Sequence, residues 1–200
     1  MKPTILLSSI FLSAAALVFA DIQTFEGDGF GAWQTEGKAF GLSPVHEKLD
    51  GMEKPFTNFA NDAFALSAHG GYDAVGTLTS PEIKIQSDYL MFLVAGGDNP
   101  AKLAVQLIID GNVVMETTGK KSQNFSNVVW DIKKFKGKNA LIRIVDDAKG
   151  EWGYIAVDHF MQENYANSKF PPSTKKGKPY AEGLVTSPVL AGAMIPKETS

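Results

Sequence analysis

The sequence predicts an all-β chain: an antiparallel β-sandwich, jelly-roll-like, with an N-terminal signal peptide before it and an irregular C-terminal tail after it. Three observations predict it. From Asp21 to about Phe160, short apolar runs are separated by turn residues at the roughly eight-to-twelve-residue spacing of sandwiches and barrels. Nineteen glycines and ten prolines supply the tight turns that such a fold needs. No stretch sustains a helical period.

Residues 1–20 read as a secretory signal. Lys2 precedes an apolar run from Ile5 to Val18, and Val18 and Ala20 stand three and one residues before the expected cut. The run is too short for a membrane span. Export by this route, secreted or periplasmic, is the expected localisation. The chain has no cysteine, so size rather than cross-linking must stabilise it, which suggests a bacterial-type source. Without Lys2, 18 basic residues face 22 acidic ones, a net charge of −4. That acidity speaks against nucleic acid as a partner and against an anionic membrane surface.

The mature region divides into a sandwich over residues 21–162 and a linker or tail over 163–200. Glu26 and Asp28 near the first strand, with Asp158 on the last, offer hard oxygen ligands for a structural calcium; otherwise no cofactor is expected, and no EF-hand spacing is present. His46, His69 and His159 have no metal-ligand spacing, and His159 reads as a satisfied structural residue. Trp33, after a glycine-rich turn, reads as packing.

Phe64 to Ser67 forms a strand, and another begins at Gly76. The loop between them, His69-Gly70-Gly71-Tyr72-Asp73, combines bent backbone with a donor, a stacking face and an acceptor, the mixture that a sugar requires. Tyr89 to Val94 is apolar on both faces and reads as a central strand. The Gly96-Gly97-Asp98-Asn99-Pro100 loop after it repeats that mixture, although Asx residues also form turns unaided.

Leu103, Val105, Leu107 and Ile109 share one face of a strand. Asp110-Gly111 is a two-residue turn, and Val113-Val114-Met115 returns as the partner. Val128, Trp130 and Ile132 point into the core, as do Ile142 and Ile144. Asp146-Asp147 and Glu151-Trp152-Gly153 flank the last loop, where Trp152 is a better stacking candidate than the core residue Trp130. Gly153 to Phe160 closes the sandwich. Ser168 to Lys178 is linker-like, and Gly183 to Ser200 is weakly patterned.

The candidate ligand-binding residues are therefore His69, Tyr72, Asp73, Asp98, Asp147, Glu151 and Trp152. The chain holds no Gly-x-Ser-x-Gly, no cysteine nucleophile and no phosphate loop, so a non-catalytic protein is expected.

Several of these segments, in order, carry a resemblance: Phe25-Glu26-Gly27-Asp28-Gly29-Phe30-Gly31-Ala32-Trp33, Ala39-Phe40-Gly41, His69-Gly70-Gly71, Gly76-Thr77-Leu78-Thr79-Ser80-Pro81, Asp110-Gly111, Ile144-Val145-Asp146 and Trp152-Gly153-Tyr154-Ile155-Ala156-Val157-Asp158. Over about Ile22 to Phe160 the chain resembles the non-catalytic β-sandwich, like a carbohydrate-binding module, of secreted bacterial glycoside hydrolase family 32 proteins (levanases and other β-fructosidases). The resemblance implies an exported monomeric domain that binds carbohydrate, a fructan or other glycan, through terminal fructosyl or similar units. Two departures stand out. Tyr154 occupies a position where the family often has histidine, and the hydrolase module, with its Asn-Asp-Pro-Asn, Arg-Asp-Pro and Glu-Cys motifs, is missing. The alternatives are a structural or adhesive module at the cell surface, or the front of a family 32 fructan hydrolase.

Overall fold

The computed structural model describes residues 21–172; the signal segment and most of the expected tail lie outside the described residues. Two antiparallel sheets form the sandwich. The first has the order β1 (Asp21–Gln23), β11 (Ile155–Glu163), β6 (Tyr89–Gly96), β9 (Ser122–Asp131), with β3 (Ala65–Leu66) also paired to β11. The second runs β2 (Gln34–Gly37), β4 (Gly76–Thr79), β10 (Asn139–Asp146), β7 (Leu103–Ile109), β8 (Asn112–Thr117), with β5 (Ile83–Lys84) beside β10. Among the described residues the only helical turn is a short 3-10 stretch, Lys133–Phe135.

Period-two alternation builds the space between the sheets. Leu103, Val105, Leu107 and Ile109 of β7 face Phe92, Val94, Val128 and Trp130 of the opposite sheet, all of them buried. Trp33 lies here too, 5.6 Å from Phe25 and 5.4 Å from Phe160, so packing is its role. The Asp110-Gly111 hairpin forms as expected, with φ of 52° and 78° at its two turn residues. A register shift follows it at Leu107/Ile108.

β6 is apolar on both faces because the molecule has a third layer. On the outer side of the first sheet, Met91, Leu93, Ala95, Phe125 and Ala156 are covered by Val45, Met52, Phe56, Phe59 and Phe64 of the long connection between β2 and β3. Four rings interlock there, with Phe64 at 4.9 Å from Phe56 and from Phe59 and at 5.1 Å from Phe125. Such edge and tilted contacts are the arrangement that ring quadrupoles favour. Phe170 is buried in the same cluster and meets the His159 ring edge-on, so the packing runs past the boundary expected at residue 162.

Two carboxylates pin this cover. Glu26 accepts the backbone N–H of Asp62 and of Ala63 at 3.1 Å, and the Oδ2 of buried Asp158 accepts the N–H of Ala60 at 2.7 Å. Asp158 lies beside a bulge in β11, where His159 takes a φ of 50° and the register against β6 shifts. His159 is only half satisfied: its Nε2 is 3.3 Å from Asp21 Oδ1, while its buried Nδ1 has no hydrogen-bond partner.

Candidate ligand-binding groove

The topology gathers the loops. The ends of β3, β6 and β8 and the starts of β4, β7, β9 and β11 lie at one end of the sandwich, since Ile155 pairs with Gly96, Gly96 with Ser122, and Asp146 with both Gly76 and Leu103. All seven candidate residues therefore sit on connections at that end.

A groove of about 850 Å³ opens there on the outer side of the first sheet. One wall is the segment 51–57 with 121–124, the other is Tyr72, Glu151, Trp152 and Tyr154. The first wall is rigid: Thr57 pairs in parallel with Asn124, its N–H reaching Gln123 O at 3.0 Å, and its O accepting the N–H of Phe125 at 2.9 Å. The second wall is aromatic. Tyr154 is the middle ring of a continuous stack, 5.5 Å and 26° from Tyr72 and 5.7 Å and 25° from Trp152. Trp152 ends the turn that the Gly153 N–H closes on Gly150 O at 2.8 Å, and Tyr154 follows it just before β11. Tyr154 is 3% exposed, whereas Tyr72 and Trp152 are half-buried and border the groove. Burial, reinforced by the neighbouring Tyr72 and Glu151, pushes the Tyr154 phenol well above its ordinary value, so it stays neutral.

Polar groups complete the lining. Glu53, Lys54, Lys121 and Glu151 are exposed, and none forms an ion pair among the described residues. Gln123 donates through Nε2 to Lys54 O at 3.1 Å, which leaves its amide oxygen available; Asn124 accepts through Oδ1 from Thr57 and Asn58, which leaves its NH₂. Lys121 holds a left-handed φ of 50° at the rim, a conformation costing about 1 kcal/mol for a residue with a side chain.

Three of the seven expected residues line the groove: Tyr72, Glu151 and Trp152. The other four are placed elsewhere. Asp73 accepts the Gly150 N–H at 3.0 Å and staples the 67–75 connection to the 147–154 connection. His69 turns its ring inward against Gly41, its Nε2 buried without a partner, and burial lowers its pKa. Asp98 and Asp147 are exposed in loops outside the groove lining, with the Asp147 N–H bound to Lys102 O at 2.8 Å. Sequence reasoning missed Tyr154, noted only as a departure, and the whole 51–57 and 121–124 wall. A tyrosine two residues after Trp152 was the one available signal.

Glu26, Asp28 and Asp158 do not come together as a calcium set. Among the described residues no group of three or more Asp, Glu, His or Cys side chains is placed to hold a metal ion. Glu26 is occupied by backbone N–H groups and Asp28 is exposed. Asp158 keeps one buried oxygen without a partner, and burial, with the nearby Glu26 charge, raises its pKa well above the carboxylate range.

Asp146, at the groove end of β10, is a second buried acid. Burial raises its pKa to about 6 against the Ser67 hydroxyl and the Ala148 N–H, which pull it down. Because the folded state binds this proton more tightly than the unfolded chain, the stability that Asp146 contributes is greatest below the ordinary aspartate pKa. It declines as pH rises toward 6 and stays lower above that. Asp146→Asn should raise stability at pH 7–8 by about 2 kcal/mol and flatten the pH profile of Tm between pH 4 and 6. Calcium should leave Tm unchanged in the same scans. A calcium-dependent rise that disappears in Asp158→Asn would restore the cation reading of that residue.

The fold and groove thus define a class, a two-sheet β-sandwich with a stacked aromatic plate beside a polar groove. No family model matches the chain. The chain is 30% identical over 148 residues to ecdE of Aspergillus rugulosus, named as a glycosyl hydrolase; the match covers 74% of this chain and 21% of that protein. The chain therefore spans about a fifth of the length of the curated relative it matches. Among solved structures it is similar to TmCBM61 in complex with β-1,4-galactotriose (16% identity, TM-score 0.46, 72% of this chain and 95% of that one). It is also similar to the K1 cleaved adhesin domain of Lys-gingipain from Porphyromonas gingivalis W83 (15% identity, TM-score 0.47, 72% and 97%). At that level of likeness neither structure assigns a role to a residue here.

Proposed function

We propose that the chain is an exported, non-catalytic carbohydrate-binding domain and that the groove is its binding site. The aromatic stack beside unpaired polar side chains carries the reading. A sugar presents an apolar C–H face and a ring of hydroxyls, and it needs a flat apolar plate with donors and acceptors around it. Trp152 and Tyr72 supply the plate; Glu53, Glu151, the Lys54 and Lys121 ammonium groups and the spare amide atoms of Gln123 and Asn124 supply the polar partners. The likeness to part of a protein named as a glycosyl hydrolase supports a glycan as ligand. Fructose-containing glycans are the first to test, because the ordered motifs over Ile22 to Phe160 resemble those of the fructan-associated sandwiches. Among the described residues no helix is long and apolar enough to cross a membrane.

Titration calorimetry of the full chain against levan, inulin and a panel of plant and fungal polysaccharides should give heat with at least one of them and no release of reducing sugar. Silence across the panel, or hydrolysis of a bound glycan, sinks the reading.

A further inference from the structure

We infer that the groove holds two consecutive residues of a neutral oligosaccharide chain rather than a single terminal sugar. The inference rests on the carbohydrate reading above and concerns how much of the chain the site reads. Three observations carry it.

The first is the shape of the plate. Tyr154 is buried and cannot itself offer a free face, so ligand contact falls to the two half-exposed rings beyond it. Tyr72 and Trp152 each stack on Tyr154, at centroid spacings of 5.5 and 5.7 Å, so two separate half-buried rings line the groove. A pyranose or furanose ring is about the size of one aromatic ring. A lone sugar would cover one of the two rings and leave the other wet.

The second is size. At about 850 Å³ the groove is near the upper end of the roughly 300–1,000 Å³ that small-ligand sites occupy, far more than one monosaccharide fills. Its lining comes from four separate segments, 51–57, Tyr72, 121–124 and 151–154.

The third is charge. The two carboxylates, Glu53 and Glu151, and the two ammonium groups, Lys54 and Lys121, balance, and Ser122, Gln123 and Asn124 add only neutral polarity. A polyanionic chain would meet as much repulsion as attraction there. Hydroxyl groups, which both donate and accept, can use every one of these partners.

The test is affinity against chain length. Ladders from monosaccharide to pentasaccharide derived from levan, inulin, mannan and cellulose, with an oligogalacturonate ladder beside them, are titrated into the full chain. On the neutral ladder that binds, affinity should rise at least tenfold from monosaccharide to disaccharide and change little beyond it, and a further tenfold rise at the trisaccharide overturns the two-residue inference. Tyr72→Ala should weaken the disaccharide about tenfold while leaving the monosaccharide almost unaffected, and Tyr72→Phe, which keeps the ring, should restore the disaccharide value. Affinity already complete at the monosaccharide, or an equal loss at both lengths in Tyr72→Ala, overturns the two-residue inference while leaving carbohydrate binding intact. Preference for the oligogalacturonate ladder overturns the neutral class. Absence of binding to every ladder removes the carbohydrate reading, and this inference with it.

Discussion

Replacing Trp152 by alanine should weaken glycan binding by roughly 30- to 100-fold while lowering Tm by less than about 4 °C. The indole lies at the groove, half-buried at the margin of the outer aromatic cluster, and its face is part of the plate. Removing it takes away both the apolar area that a sugar ring covers and the stacking beyond that area, together about 2–3 kcal/mol of binding. The fold loses little, since the interlocked Phe56, Phe59, Phe64 and Phe125 rings beneath do not depend on it. Trp152→Phe should recover most of the affinity. Calorimetry on the strongest glycan of the panel, beside thermal melts of the same samples, reads both quantities. Unchanged affinity in a folded Trp152→Ala protein would move the binding site elsewhere on the molecule.

The largest effect on stability is expected at Gly97. A Cβ there would lie 2.1 Å from the Trp152 carbonyl oxygen and 2.6 Å from a Leu103 methyl. The first neighbour is backbone, so the two strand ends must part. Gly97→Ala should cost on the order of 3 kcal/mol or more, a fall in Tm of about 6–12 °C, and it should weaken binding because the segment that must move carries Trp152 and Tyr154. Gly71→Ala is the matched control on a neighbouring loop. Its φ is +88° but nothing stands within 4 Å, so only the left-handed backbone is penalised, by about 1 kcal/mol. If the two variants melt together, the close approach at Gly97 is not what holds this end of the sandwich.

These two residues show how the glycines differ from their first reading. The sequence suggests that paired glycines bend loops and bare their amides to a ligand. In the fold, Gly97 lets two backbones touch, and Gly153 does the same against the Tyr72 carbonyl. The pairs do mark the binding end, for a packing reason: a plate made from two separate loops requires those loops to meet at backbone distance.

The sandwich, its main strands, the Asp110-Gly111 hairpin and the burial of Trp33 and Trp130 were legible in the chain alone. Each of these follows from local pattern, either alternation along a strand or the turn chemistry of two residues. Long-range packing set the remainder. The segment 43–64 lacks any period, so nothing local says that its phenylalanines roof the outer face of β6. Glu26 and Asp158 look like calcium ligands until backbone N–H groups of residues 60–63 are seen to take both oxygens of Glu26 and one of Asp158. The groove itself is made by residues about seventy and eighty positions apart, 51–57 against 121–124 and Tyr72 against Trp152 and Tyr154. Such a site exists only once chain closure has been achieved, because its stacking and hydrogen bonds are long-range terms with no trace in any short window of sequence.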